Sequence, residues 1–213
     1  MKKIISPLLL IIVLTSVAFV LYGFSGQANV SLKNQVDELL KIHPAETIMK
    51  SENLSMSHLD NYKNRAVELH KEFSNIRSGN VLTTITFSSP VDANRLVDFI
   101  SEYDIEPEFI YVYGKEYVGD GYVTGGLYFD EEDDLNMIRE RVNESKKDLL
   151  DPDADFIGFL SVIGQVSSNK ISLVQNDAAV YLADVSGDKY FGYNTTGKEY
   201  VQHLGYALYE INK

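Results

Sequence analysis

The N-terminal part of the chain carries apolar residues at helical spacing. In residues 31–42, leucine and valine side chains share one helical face: Leu32, Val36, Leu39 and Leu40. His43-Pro44 ends this segment, because the residue before a proline avoids helical geometry. A second helix is predicted at 56–77.

The predicted helix at 56–77 has a seam of apolar and small residues that recur every three or four positions. The seam consists of Leu59, Tyr62, Ala66, Leu69, Phe73 and Ile76. This repeat is typical of a coiled coil, but it covers fewer heptads than a sustained coiled coil does. The pattern therefore favours a helix that packs on its own domain. Residues 29–78 are predicted to form a helical stalk region before the domain. The alternative to internal packing is that the 56–77 helix of this stalk pairs subunits above the membrane.

Beyond Ser78-Gly79-Asn80 the pattern changes to short strands mixed with helices. Strands are predicted at 81–87, 109–114, 122–129, 156–166 and 179–185. Helices are predicted at 91–103, 130–150 and about 167–175. A closing amphipathic segment at 199–211 is expected to dock through Val201, Leu204, Leu208 and Ile211. These elements predict an α+β domain at 79–213.

Two segments of this domain share a pattern. VDANRLVDF (91–99) and VSSNKISLV (166–174) both contain valine, then asparagine, a basic residue, leucine or isoleucine, and an apolar ninth position. Each segment follows one predicted strand and precedes another. The arrangement predicts a ferredoxin-like (split βαβ) fold with a mainly antiparallel sheet and an inserted hairpin and helix.

The second segment also carries a resemblance to a known family. FIGFLSVIGQVSSNKISLVQNDAAVYLADV (156–185) resembles the closing strand, helix and strand of ferredoxin-like modules in subtilase propeptides and related inhibitors. In that family a C-terminal extension occupies the protease cleft. Here residues 186–200 and a predicted helix occupy that place, so the resemblance implies a fold and not an inhibitory activity.

The N-terminal segment is predicted to enter a membrane. No charged residue occurs between Ile4 and Phe24, and the run is long enough to cross a hydrocarbon core of about 30 Å. Lys2 and Lys3 precede it, which places the N-terminus in the cytoplasm and the domain outside. Its length favours a retained single-pass anchor at 1–28. The alternative is a signal peptide cleaved after Ala28, which would release a secreted domain.

Composition limits the classes of partner and of chemistry. The chain has no cysteine, which excludes thiol catalysis, disulfides and thiolate metal sites. Its formal net charge is -12, whereas nucleic-acid binding requires a basic face. The acidic charge is interpreted first as a surface that keeps an exported domain soluble. The alternative is that it selects a partner, and a basic protein or peptide is then the partner expected.

No motif of catalysis or metal binding is complete in this sequence. Asp151, Asp153 and Asp155 have the spacing that begins a calcium loop. However, Phe156 and Val162 stand where that loop needs glycine and glutamate. The four histidines do not form the paired zinc motif, and no serine elbow, phosphate loop or dinucleotide fingerprint is present. The sequence predicts no catalytic residue, no metal and no cofactor.

Tyrosine is concentrated in the predicted hairpin at 109–129. Along its first strand, Tyr111 and Tyr113 share one face, where they form either an aromatic platform for a ligand or a cover over the sheet. The candidate binding residues are Tyr111, Tyr113, Tyr117, Tyr122, Glu116 and Asp120. Glycines in the hairpin allow a peptide to add to an exposed sheet edge, and the acidic residues favour a basic peptide.

Together these patterns predict a membrane-anchored extracytoplasmic interaction module with no catalysis of its own. Its expected partner is a protein or peptide at the cell surface. The alternative is a hydrolase that acts on a cell-envelope polymer through scattered carboxylates, since any two of the 31 acidic residues can meet in space.

Overall fold

A computed structural model describes residues 32–42, 55–74, 78–116, 122–130, 133–148 and 154–188, together with positions 204, 208, 209 and 211. The helices are α1 (32–41), α2 (Met56–Ser74), α3 (Ala93–Tyr103), α4 (Leu135–Asp148) and α5 (Ile171–Gln175). The strands are β1 (Asn80–Val91), β2 (Glu106–Glu116), β3 (Tyr122–Tyr128), β4 (Ala154–Ser167) and β5 (Val180–Asp184).

The strands form one five-stranded sheet in the order β3-β2-β4-β1-β5, and every neighbouring pair is antiparallel. The predicted α+β class and antiparallel sheet are therefore confirmed. Because β4 lies between β1 and β2, those two strands run parallel to each other. By the same reasoning β4 and β5 run parallel on either side of β1. The units β1-α3-β2 and β4-α5-β5 thus interlock, and β3 and α4 come between them in the chain.

The two crossover helices, α3 and α5, are joined by reciprocal ion pairs. Arg95, near the start of α3, donates to Asp177, just beyond the end of α5, at 2.9 and 3.1 Å. Lys170, which precedes α5, pairs with Asp104 at the end of α3. Arg95 and Lys170 are the two basic residues at the same place in the shared sequence pattern. The basic residue at the start of each helix therefore contacts an acid at the end of the other.

Helix α2 packs into the core of the domain. Its seam residues Leu59, Tyr62, Ala66, Leu69 and Phe73 are buried in the main hydrophobic cluster, and Ile76 lies outside the described residues. Residues Leu32, Val36 and Leu39 of α1 join the same cluster. The described part of 29–78 thus shares its hydrophobic core with the sheet.

Part of the closing segment predicted at 199–211 lies within the described residues. Leu204 and Leu208 are buried in the main cluster and Ile211 packs against it, as expected for a docked closing segment, whereas Val201 lies outside the described residues. The apolar run at 4–24 also lies outside them. No helix within the described ranges has the length and apolar character needed to cross a bilayer.

Candidate functional site

The two edge strands of the sheet differ in how they are covered. Every residue of β5 is buried, and β5 is contacted by both α2 and α5. At the opposite edge, β3 pairs on its inner side with β2 and is contacted by α4. Within the described ranges, no strand pairs with its outer side. A sheet edge of this kind presents unpaired backbone N–H and C=O groups.

The direction of these backbone groups follows from the pairing of β3 with β2. The amide of Phe129 donates to the carbonyl of Glu108, its opposite residue, at 3.1 Å. Opposite pairs in an antiparallel ladder alternate between bonded and non-bonded, and the register of β2 and β3 shows no shift. The residues whose N–H and C=O point away from β2 are therefore Tyr122, Thr124, Gly126 and Tyr128.

The sequence of β3 lacks the features that usually block an edge strand. Natural edges are protected by charged side chains, proline, bulges or very short strands. The seven residues of β3, YVTGGLY, contain no charge and no proline, and their register with β2 is continuous. The edge is therefore suited to pairing with a further strand.

An aromatic cluster lies on one face of this edge. The ring of Phe109 packs 4.5 Å from the rings of both Tyr111 and Tyr128. A Cβ at Gly126 would lie 1.8 Å from the Phe109 ring, so the ring rests directly on the glycine. Tyr128 is 66% exposed, and its ring is the part of the cluster that a ligand can reach.

The structure separates the predicted binding residues. Tyr111 and Tyr113 are only 7% and 0% exposed, and the Tyr113 ring packs 4.8 Å from that of Tyr209. These two tyrosines cover the sheet, so the structure does not present them as an exposed aromatic platform. Glu116 ends β2 and Tyr122 begins β3, but their side chains lie outside the described structure, as do all atoms of Tyr117 and Asp120.

Two residues at the end of the edge were not predicted from the sequence. Tyr128 carries the exposed ring, and Arg141 of α4 donates from Nη2 to the backbone carbonyl of Tyr128. Arg141 also pairs with Asp133 at 2.6 Å and lies over the Phe129 ring. Arg141 is one of several charged residues on α4, and the sequence does not distinguish it from the others, because its role depends on which strand forms the edge of the sheet.

A polar cluster lies inside the molecule, where α2 meets β5. The hydroxyl of Tyr62 donates to Asp184, which also accepts the Ser186 amide at 2.8 Å. Burial, and next the neighbouring Asp184 charge, raise the pKa of Tyr62 well above its ordinary value. All three residues are buried, so this cluster joins two elements and offers no open surface for a substrate.

Buried acids in the described structure serve contacts within the fold. Asp184 is bound as above, and Asp188 accepts the Leu82 amide at 2.8 Å. The described residues contain no group of three or more histidine, aspartate or glutamate side chains placed to hold a metal ion. Among the described residues, the buried atoms His70 Nε2 and Thr86 Oγ1 have no hydrogen-bond partner.

No protein-family model, curated protein or solved structure matches this chain.

Proposed function

We propose that this protein is an extracytoplasmic interaction module that binds an extended segment of a partner protein by adding it as a sixth strand beside β3. The observation that carries the proposal is the outer side of β3, which is an uncharged, proline-free edge with outward backbone groups. Backbone hydrogen bonds supply affinity in this mode of recognition, and side-chain contacts supply specificity. The exposed Tyr128 ring is the main side-chain contact.

The partner segment is proposed to be basic. The chain carries a formal net charge of -12, and exposed Asp130 and Asp134 follow β3 directly in the chain. Charges at the rim of an interface steer association and select among partners more than they add affinity. An uncharged strand with lysine or arginine at its ends complements such an edge.

The location of the module and its fold family are part of the same proposal. The uncharged run at 4–24, after Lys2 and Lys3, supports a single-pass anchor with the domain outside the cell. The interlocked units β1-α3-β2 and β4-α5-β5 support a ferredoxin-like fold in which β3 and α4 are an insertion. The proposed binding edge thus lies on the inserted part of the fold.

A proline placed on the outer side of β3 tests this function. The N–H of Thr124 points outward, so Thr124→Pro removes an edge donor and keeps the bonds to β2. The probe is a fluorescent synthetic peptide with seven alternating threonine and valine residues between two pairs of lysines. We expect anisotropy titration to show binding to the full-length chain and a loss of at least about tenfold with Thr124→Pro.

Three controls make the result specific. Thr124→Val keeps the outward N–H and should bind as the wild type does. Val123→Pro removes an inward donor, so it should lower the thermal unfolding midpoint, whereas Thr124→Pro should change that midpoint little. A peptide with glutamates in place of lysines should bind more weakly, and the difference should shrink in high salt. Equal binding of the lysine peptide by the wild type and Thr124→Pro would contradict the proposal.

A further inference from the structure

Arg141 is held at the end of the β3 edge by three contacts. Its Nη2 donates to the carbonyl of Tyr128, and its Nη1 lies 2.6 Å from Oδ2 of Asp133. Its guanidinium group is 4.7 Å from the centroid of the Phe129 ring, within the range of a cation–π contact. Because the guanidinium is planar and fixed by these contacts, its hydrogen bonds keep a more constant direction than those of a flexible lysine would.

The Tyr128 carbonyl is one of the groups that point away from β2. The bond from Phe129 to Glu108 makes their pair a bonded one, so the next pair, Tyr128 with Phe109, directs its backbone groups outward. Arg141 Nη2 donates to this same carbonyl from α4. Arg141 therefore occupies an acceptor that an added strand would otherwise use.

We infer that Arg141 ends the pairing edge and thereby sets the register of the added strand. The inference rests on the proposed function. The partner strand then pairs with the N–H and C=O groups of Tyr122, Thr124 and Gly126 and with the N–H of Tyr128. A one-residue slip in a strand turns every side chain to the opposite face, so a fixed end to the ladder selects one alignment of the partner. Arg141 is thus a specificity-determining residue.

The test is a scan of the lysine-flanked peptide with one N-methylated amide at a time. N-methylation removes a donor, so it lowers affinity only where that amide binds an edge carbonyl. With the wild-type full-length chain, we expect loss of affinity at the amides facing the carbonyls of Tyr122, Thr124 and Gly126. With Arg141→Met, the Tyr128 carbonyl is freed, and a further amide, two positions along, should become sensitive by about five- to tenfold.

Two matched variants separate this effect from changes in charge and folding. Arg139→Met removes the same charge from an exposed position on the same helix, and it should keep the wild-type scan. Arg141→Met combined with Asp133→Asn avoids leaving the Asp133 carboxylate unpaired, and it should show the same additional sensitive amide as Arg141→Met alone.

Each result of the peptide scan either supports or contradicts the proposed role of Arg141. An identical scan for the wild type and both Arg141 variants, with binding still lost in Thr124→Pro, would overturn the role of Arg141 and keep the proposed function. The additional amide appearing in Arg139→Met would also overturn it, because charge alone would then explain the change. Absence of peptide binding in every variant would overturn both proposals.

Discussion

At the scale of single residues, the contact between Tyr62 and Asp184 joins α2 to the sheet. Both side chains are buried, and a buried carboxylate is costly unless donors surround it. The Tyr62 hydroxyl and the Ser186 amide both donate to Asp184. The main role of the Tyr62 hydroxyl is therefore to donate to the buried Asp184 carboxylate, which would otherwise have too few hydrogen-bond donors.

Replacing Tyr62 with phenylalanine tests this requirement. Tyr62→Phe keeps the ring and removes one donor to Asp184, so we expect the free energy of unfolding to fall by about 1–3 kcal/mol in urea denaturation. The matched control is Tyr181→Phe, whose hydroxyl lies 3.3 Å from exposed Asp60. Since water can replace that longer bond, its cost should be about 0.5 kcal/mol or less. Equal costs for the two variants would contradict this account.

At the scale of elements, the ion pairs between α3 and α5 differ in strength because their surroundings differ. The side chain of Asp177 is only 9% exposed, whereas that of Asp104 is 81% exposed. Asp177 also accepts bonds from Tyr103 at 2.9 Å and from the Ala179 amide at 2.7 Å. Burial alone would raise the pKa of Asp177, but these bonds and the Arg95 charge outweigh burial and hold it below its ordinary value.

These contacts predict a pH-dependent contribution from Asp177. A carboxyl with a lowered pKa in the folded state stabilises the fold above its ordinary pKa of about 3.9, and it loses that effect as the pH falls through the folded value. We therefore expect Asp177→Asn to reduce stability at pH 7 by about 1–2 kcal/mol and to reduce it less at pH 2. Urea unfolding at both values of pH measures this difference. Lys170→Gln, which breaks only the exposed pair, should cost about 0.5 kcal/mol or less at pH 7.

Local patterns predicted the elements but not the site. Helix α2 and the two strand–helix–strand units follow from spacing, because each element must bury an apolar face. The open edge depends on strand order, which is set by the pairing of β2 with β4 across about 50 residues of chain. Tyr111 and Tyr113 illustrate the difference. Alternation correctly placed them on one face, but only the packed sheet shows that this face is covered at those positions.

At the scale of the whole molecule, the helices before the sheet are part of one core. Residues from α1, α2, the sheet and the closing segment all enter the main hydrophobic cluster. One end of the sheet is therefore covered by α2 and α5 at β5, and the other presents β3 with its outer side unpaired in the described structure. This asymmetry is the reason why the proposed function assigns the partner strand to β3 and not to β5. The described seam residues of α2 are buried in the same core.

The oligomeric state of residues 29–213 tests whether the seam is internal. Leu69 is 2% exposed in the core, so Leu69→Asp places an unpaired charge there and should cost about 4 kcal/mol or more. We expect the wild-type fragment to sediment as a monomer and the Leu69→Asp variant to lose its cooperative unfolding transition. Asn64→Asp adds the same charge at an exposed position of α2 and should remain folded and monomeric. The contrary result is a wild-type fragment that is a dimer and that Leu69→Asp converts into a folded monomer. The seam would then join two chains, and the assignment of α2 to the core of its own chain would be wrong.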